Sequence, residues 1–177
     1  MTINRTLTFK NLEKAFGKLN NTQVANFNLF FDRWDGKDKR HLSYILATCW
    51  HEVGGQLNPI EEIGKGRGKK YGMMVAGKVY YGRGHVQTTW FYNYEKLRVA
   101  CKGKWDFIKH PELLLQKEPS IWATFYGMNV GIWTGKKLSD YFNSEREDPI
   151  KARKIINGTD CAEKIAGHYK LFMKSIV

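Results

Sequence analysis

The chain has 177 residues, 42% hydrophobic and 14% aromatic, which is enough to bury a sizeable core and too much for a disordered chain. Lys and Arg outnumber Asp and Glu by 29 to 17, and the formal charge of +12 predicts a polyanionic partner: nucleic acid, anionic membrane or anionic cell wall. Cys49, Cys101 and Cys161 are widely spaced and odd in number, which argues against a disulfide framework or a zinc cluster, and no run reads as a signal peptide or membrane span, so residence in a cytoplasm is expected.

The prevailing period along the chain is helical. Phe9, Leu12, Phe16 and Leu19 mark a first short helix, and after the cap signal Asn20-Asn21-Thr22 a second is marked by Val24, Phe27, Phe31 and Trp34. Polar "DGKDKR" breaks the pattern. Leu42, Ile45, Leu46, Cys49, Trp50 and Val53 then recur at three-four spacing, a third helix that Gly54 and Gly55 end. Glycine and lysine dominate residues 64 to 84, which reads as a long loop or short hairpin. A helix follows from Gln87 to about Lys102. "EPSIWATFYGMNVGIW" opens with proline in its first turn and sets Ile121, Trp122, Phe125, Met128 and Ile132 on one face. Asp160 and Glu163 have capping-box spacing ahead of a last helix carrying Ile165, Tyr169, Phe172 and Ile176. There is no internal repeat or linker, so a single, mainly α domain over residues 1–177 is expected.

Three carboxylates stand out in "WHEVGGQLNPIEEIGKGRGKKYG", residues 50–72. Glu52 lies roughly 90° from the centre of its helix's apolar stripe, at the margin, where a half-buried side chain is expected. It also sits in the last turn, against the negative end of the helix. Burial and the helix terminus both favour the protonated carboxyl that a general acid needs, and both imply that Glu52→Gln leaves stability level or raises it. Glu61 and Glu62 come nine and ten residues later, after Pro59 and the glycines have allowed the chain to return. Two carboxyls facing each other at roughly 6.5 to 9.5 Å are what inverting glycoside hydrolysis requires. Spacing alone leaves open both which of Glu61 and Glu62 would be the base and the plainer alternative, that all three glutamates neutralise neighbouring lysines.

Other motifs fall short of their templates. "HEVGG" has no second histidine one turn on, so His51 and Glu52 are not a zincin pair, and no metal or other cofactor is expected. "GMMVAGKV" has the glycine and lysine spacing of a phosphate-binding loop, but Val79 stands where the magnesium-binding hydroxyl belongs. His51, His85, His110 and His168 are scattered singly.

"YYGRGHVQTTWFYNYEKL", residues 80–97, together with "HEVGG" upstream, resembles the signature of glycoside hydrolase family 19 chitinases and related phage endolysins; the likeness extends over roughly residues 40–172. It implies a two-lobed, lysozyme-like domain with a substrate cleft, and Glu52 as general acid. It also implies that the Gly-Arg-Gly-x-x-Gln stretch walls the cleft, with Gln87, Thr89 and Asn93 at the positions that bind substrate or position water. "KIINGTD" resembles a later element that would add Asn157, and Lys164 stands where the family often has arginine. The family's secreted members carry disulfides and longer loops, whereas the short "PIEEIGKGRGKKYG" is similar to the endolysin branch, whose implied substrate is peptidoglycan.

The expectation is therefore a monomeric endolysin that cleaves β-1,4 bonds of peptidoglycan glycan strands by acid/base catalysis with inversion. It would stay in the host cytoplasm until released to the wall, without stable membrane insertion, nucleic-acid partner or separate wall-binding domain. Glu52 would be the acid and Glu61 or Glu62 the base. Tyr80, Tyr81, Trp90 and Tyr92 offer faces for sugars, and Arg83 would pair with a glutamate across the cleft to keep the base ionised. The alternatives are a chitinase acting on chitin oligomers and a non-catalytic basic protein that binds wall or nucleic acid.

Overall fold

The computed structural model describes residues 2–177. Six α-helices form its frame: α1 (Arg5–Phe16), α2 (Asn21–Arg33), α3 (Lys39–Glu52), α4 (Phe91–Ala100), α5 (Lys117–Val130) and α6 (Ala162–Ser175). Four two-residue strands, β1 (Ile60–Glu61), β2 (Met74–Val75), β3 (Lys78–Val79) and β4 (Arg83–Gly84), lie between α3 and α4. None of the described helices is long and apolar enough to cross a membrane.

Local chemistry accounts for most helix ends. The Asn20 side chain accepts from the Gln23 N–H at 2.9 Å while the Gln23 side chain accepts from the Asn20 N–H at 2.9 Å, a reciprocal cap that starts α2. Past α3 the backbone turns through Gly54 and Gly55, at φ of 70° and 80°. At Gly55 a Cβ would also sit 3.1 Å from the Trp50 ring, so two independent constraints require glycine there.

Two ends differ from expectation. α4 begins at Phe91 rather than Gln87, because Thr88 returns to pair with Arg83 in a bridge that consumes the residues between. α6 begins after Cys161 with no side-chain cap; Asp160, expected as half of a capping box, is committed to Arg153 instead.

The apolar faces close two clusters. The larger gathers Leu12, Phe27, Phe30, Leu42, Ile45, Tyr169 and Phe172 around the buried α3, which packs along α6. The smaller holds Tyr80, Tyr94, Leu97, Phe107, Leu114 and Ala123. α5 serves both, giving Ile121, Phe125 and Met128 to the first and Ala123 to the second. This is the two-lobed arrangement expected, with Trp133 packed against both clusters. A ribbon joins the lobes: β1 pairs antiparallel with β4, with Glu61 opposite Arg83, and the Glu62 N–H donates to the Gly82 carbonyl at 2.8 Å.

Candidate active site

Glu52 is the last residue of α3, and its side chain is 16% exposed. Its Oε1 accepts from Arg153 Nη1 at 2.6 Å. Arg153, in a short 3₁₀ turn (Lys151–Ile155), has a side chain only 4% exposed and spends its other donors on Asp160, Nε to the carbonyl at 3.1 Å and Nη2 to Oδ2 at 3.2 Å. Burial works against this cation, but Glu52 and Asp160 outweigh it and lift the guanidinium further above its ordinary range. A buried positive charge thus stands in direct contact with the Glu52 carboxylate.

Around this pair opens a cleft of about 380 Å³, lined among others by Glu52, Tyr71, Gln87, Thr89, Trp90, Tyr92, Asn93, Trp133, Arg153 and Asn157. The sequence candidates Gln87, Thr89, Asn93 and Asn157 thus converge on Glu52 from two separate stretches of chain. Gln87 Nε2 donates to the carbonyls of Ile60 and Gly84 at 3.0 and 3.1 Å, fixing the return of the ribbon. Asn93 is 4% exposed; its Nδ2 donates to the Thr89 carbonyl at 2.9 Å, and its Oδ1 is buried with no partner among the described residues. Trp90 and Tyr92 stack at 5.8 Å between centroids, 23° from parallel. A larger hollow of about 470 Å³ lies between α2, α3 and α5, but its acids Asp35 and Asp38 are engaged by Lys37 and Arg40 and it contains none of the candidate residues.

The ribbon separates the two glutamates the sequence left equivalent. Successive residues of an extended strand point to opposite faces. Glu62 Oε1 accepts from Tyr71 Oη at 2.9 Å and Oε2 from the Gly82 N–H at 3.1 Å. At Gly82 a Cβ would meet Gln87 Oε1 at 2.9 Å and Glu62 Cβ at 3.3 Å, so Glu62, Gln87 and Tyr71 share a face, and two of the three line the cleft. Glu61 turns the other way. It accepts from Tyr81 Oη at 2.7 Å and pairs with Lys65 at 2.9 Å, and the hydrogen bonds from Lys65 and Tyr81 hold its carboxyl below the usual range.

Two expectations need correction. Among the described residues Arg83 pairs with no glutamate: its guanidinium lies 3.5 Å from the Tyr81 ring centroid and donates to the Val79 carbonyl and Tyr94 Oη, and the residue is 6% exposed. Tyr80 and Tyr81, 1% and 8% exposed, offer no face to a sugar: Tyr80 packs in the smaller lobe, and the Tyr81 ring lies under the Arg83 guanidinium with its hydroxyl on Glu61. Lys164 is exposed and makes no ion pair among the described residues, so the guanidinium of the site comes from Arg153. Sequence reasoning missed Arg153, Tyr71 and Trp133. The one available signal for Arg153 was its place a single helical turn before Asn157. Among the described residues no three His, Cys, Asp or Glu side chains come together as a metal site.

Neither a family model nor a curated protein matches the chain, but solved structures do. It superposes on chitinase C from Streptomyces griseus HUT6037 with a TM-score of 0.60 at 19% identity, over 97% of this chain and 77% of that one. A mutant of chitinase C gives 0.57 at 18% over 94% and 90%, and a bacterial family 19 chitinase gives 0.56 at 18% over 96% and 94%. At these identities the likeness is one of fold: the chain has the fold of the family 19 chitinases, which are glycoside hydrolases.

Proposed function

We propose that this protein is an inverting glycoside hydrolase that cuts β-1,4 bonds in the glycan strands of peptidoglycan. The observation that carries the reading is Glu52, fixed by Arg153 in a cleft whose lining includes Tyr71, the hydroxyl of which donates to Glu62. Glu52 Oε1 is taken by Arg153, which leaves Oε2 to carry the proton. Glu52 gives that proton to the leaving glycosidic oxygen as the C1–O bond breaks, and Arg153 stabilises the carboxylate so formed. Glu62 removes a proton from the water that adds to C1 on the other face. The unpartnered Asn93 Oδ1 suits an acetamido N–H, and Trp90 and Tyr92 suit the faces of the sugar rings.

Both peptidoglycan and chitin have this amino-sugar backbone, and the fold by itself fits either. The charge favours the first: peptidoglycan bears peptide carboxylates, chitin is nearly neutral, and the chain carries +12. Chitin oligomers are the second reading, favoured by the fold of the solved neighbours. Mass spectrometry of digested sacculi, run beside a chitin hexamer at equal enzyme, tests the choice. New reducing-end sugars from sacculi, falling with added salt, are expected. Rapid hexamer cleavage with intact sacculi would make the protein a chitinase.

A further inference from the structure

Between Ile63 and Val79 the chain carries five cations, Lys65, Arg67, Lys69, Lys70 and Lys78, and no acid. This stretch is a built feature. Consecutive turns, Lys65 N–H to the Glu62 carbonyl at 3.1 Å, Arg67 to Gly64 at 2.9 Å, Lys69 to Gly66 at 3.0 Å and Gly72 to Lys69 at 2.9 Å, coil the basic half into a compact knob. Its neck is so tight that a Cβ on Gly66 would lie 2.8 Å from the Gly72 Cα. The other half is the β2–β3 hairpin, with Met74 opposite Val79 and Val75 opposite Lys78 across a turn at Ala76 and Gly77. Among the described residues, Lys65 alone of the five cations pairs with a carboxylate within 4 Å.

Large apolar side chains stand among these charges with nothing covering them. Ile63 is fully exposed, Met73 is 72% and Met74 71% exposed, and Val75 is 40% exposed. Charge alone would suit any polyanion. Exposed methionine and isoleucine gain nothing from phosphate or sugar hydroxyls, but they do gain from the boundary between lipid headgroups and acyl chains, where neighbouring lysines meet anionic phosphates.

We propose that the 63–79 knob and hairpin form a peripheral docking surface for an anionic phospholipid bilayer, the Ile63, Met73 and Met74 side chains entering the headgroup boundary and Arg67, Lys69 and Lys70 contacting lipid phosphates. Tyr71, between the two halves, also lines the cleft, so docking sets the cleft mouth beside the bilayer. The inference involves no glycan and stands independently of the hydrolase reading.

Co-sedimentation of the full chain with vesicles tests it, comparing phosphatidylcholine containing phosphatidylglycerol with phosphatidylcholine alone. Partition is expected to be about tenfold or more stronger on the anionic vesicles. Met73→Ser with Met74→Ser, which leaves the charge unchanged, is expected to weaken it about tenfold, and Lys69→Gln with Lys70→Gln by a similar factor. Lys10→Gln with Lys14→Gln, the same charge change at exposed positions of α1 outside the proposed surface, is expected to cost no more than about twofold, since charges that do not touch the lipid act only through screened long-range attraction. All three pairs lie at exposed positions, and unchanged thermal midpoints would confirm that each variant is folded. An unaffected methionine variant, or equal losses from the two lysine pairs, would overturn the proposal. So would binding to purified sacculi with none to anionic vesicles, which would assign the patch to wall polymer instead.

Discussion

The two walls of the cleft are built in opposite ways. Glu52 ends a fourteen-residue helix whose Leu42, Leu46 and Cys49 are fully buried, and it touches a guanidinium that is itself buried and tied twice to Asp160. Glu61 and Glu62 stand on a ribbon of two-residue strands, next to an exposed knob and hairpin, held by single hydrogen bonds from tyrosines, a lysine and one backbone amide. A packed helix and a buried ion pair fix one carboxylate in place whatever solvent does. On the other wall only strand alternation decides which glutamate turns toward Tyr71 and Gln87, and a one-residue slip would exchange them.

The largest effect should come from the rigid wall. Glu52→Gln removes the proton donor and is expected to lower cleavage by about 10² to 10⁴-fold, read as reducing ends released per unit time. The sequence alone suggested level or higher stability for this change, but Arg153 reverses that: the buried guanidinium loses the nearer of its two anions and keeps only Asp160, and a drop of about 1–3 kcal/mol in a denaturant titration is expected. On the ribbon, Glu62→Gln should reduce turnover by about 10²-fold or more, whereas Glu61→Gln should leave it within experimental error, since Glu61 faces Tyr81 and Lys65. Comparable losses from both would mean that the ribbon does not discriminate between them.

His85 connects the two walls. Completely buried, it holds the Leu57 carbonyl, in the turn between Glu52 and the ribbon, at 3.0 Å from Nε2, while Nδ1 lies 2.7 Å from Ser120 Oγ. Burial pushes its pKa down to about 4, so the stability of the neutral ring is fully present above its ordinary value near 6.5 and is lost as pH falls through 4. The loss should approach about 3 kcal/mol at the acid end. Asp38 and Glu61 are shifted down as well and add to acid sensitivity, so the informative measurement is the difference between wild type and His85→Gln in unfolding free energy against pH. Parallel curves would contradict the assignment. A smaller effect is expected for Arg153→Lys, which keeps the charge but cannot reach Glu52 and both Asp160 oxygens together; stability should fall by about 1–2 kcal/mol.

The rigid wall was also the legible one. Leu42, Ile45, Leu46 and Cys49 announced α3 by their period, the glycine pair announced its end, and Glu52 could be placed at the margin of the stripe before any coordinate. Gln87, Thr89, Asn93 and Asn157 came from motif resemblance, and the fold brings all four to the cleft. What stayed hidden depends on pairings between distant residues. Arg153 meets Glu52 across 101 positions of sequence, and nothing local marks that bond. The inward turn of Tyr80 needs the smaller lobe, whose Phe107 and Leu114 lie far along the chain. Asp160 had the spacing of a helix cap, and only the buried guanidinium beside it explains why it does other work.

The two-carboxylate account bears most directly on the configuration of the first product. Proton NMR of the anomeric region, recorded in the opening minutes on whichever of the sacculi or the chitin hexamer is cleaved, separates the stereochemical outcomes before mutarotation mixes them. With Glu52 as acid and Glu62 directing a water to the opposite face, the new reducing end should appear as the α-anomer. Initial accumulation of the β-anomer would mean retention, and would contradict Glu62 as the base.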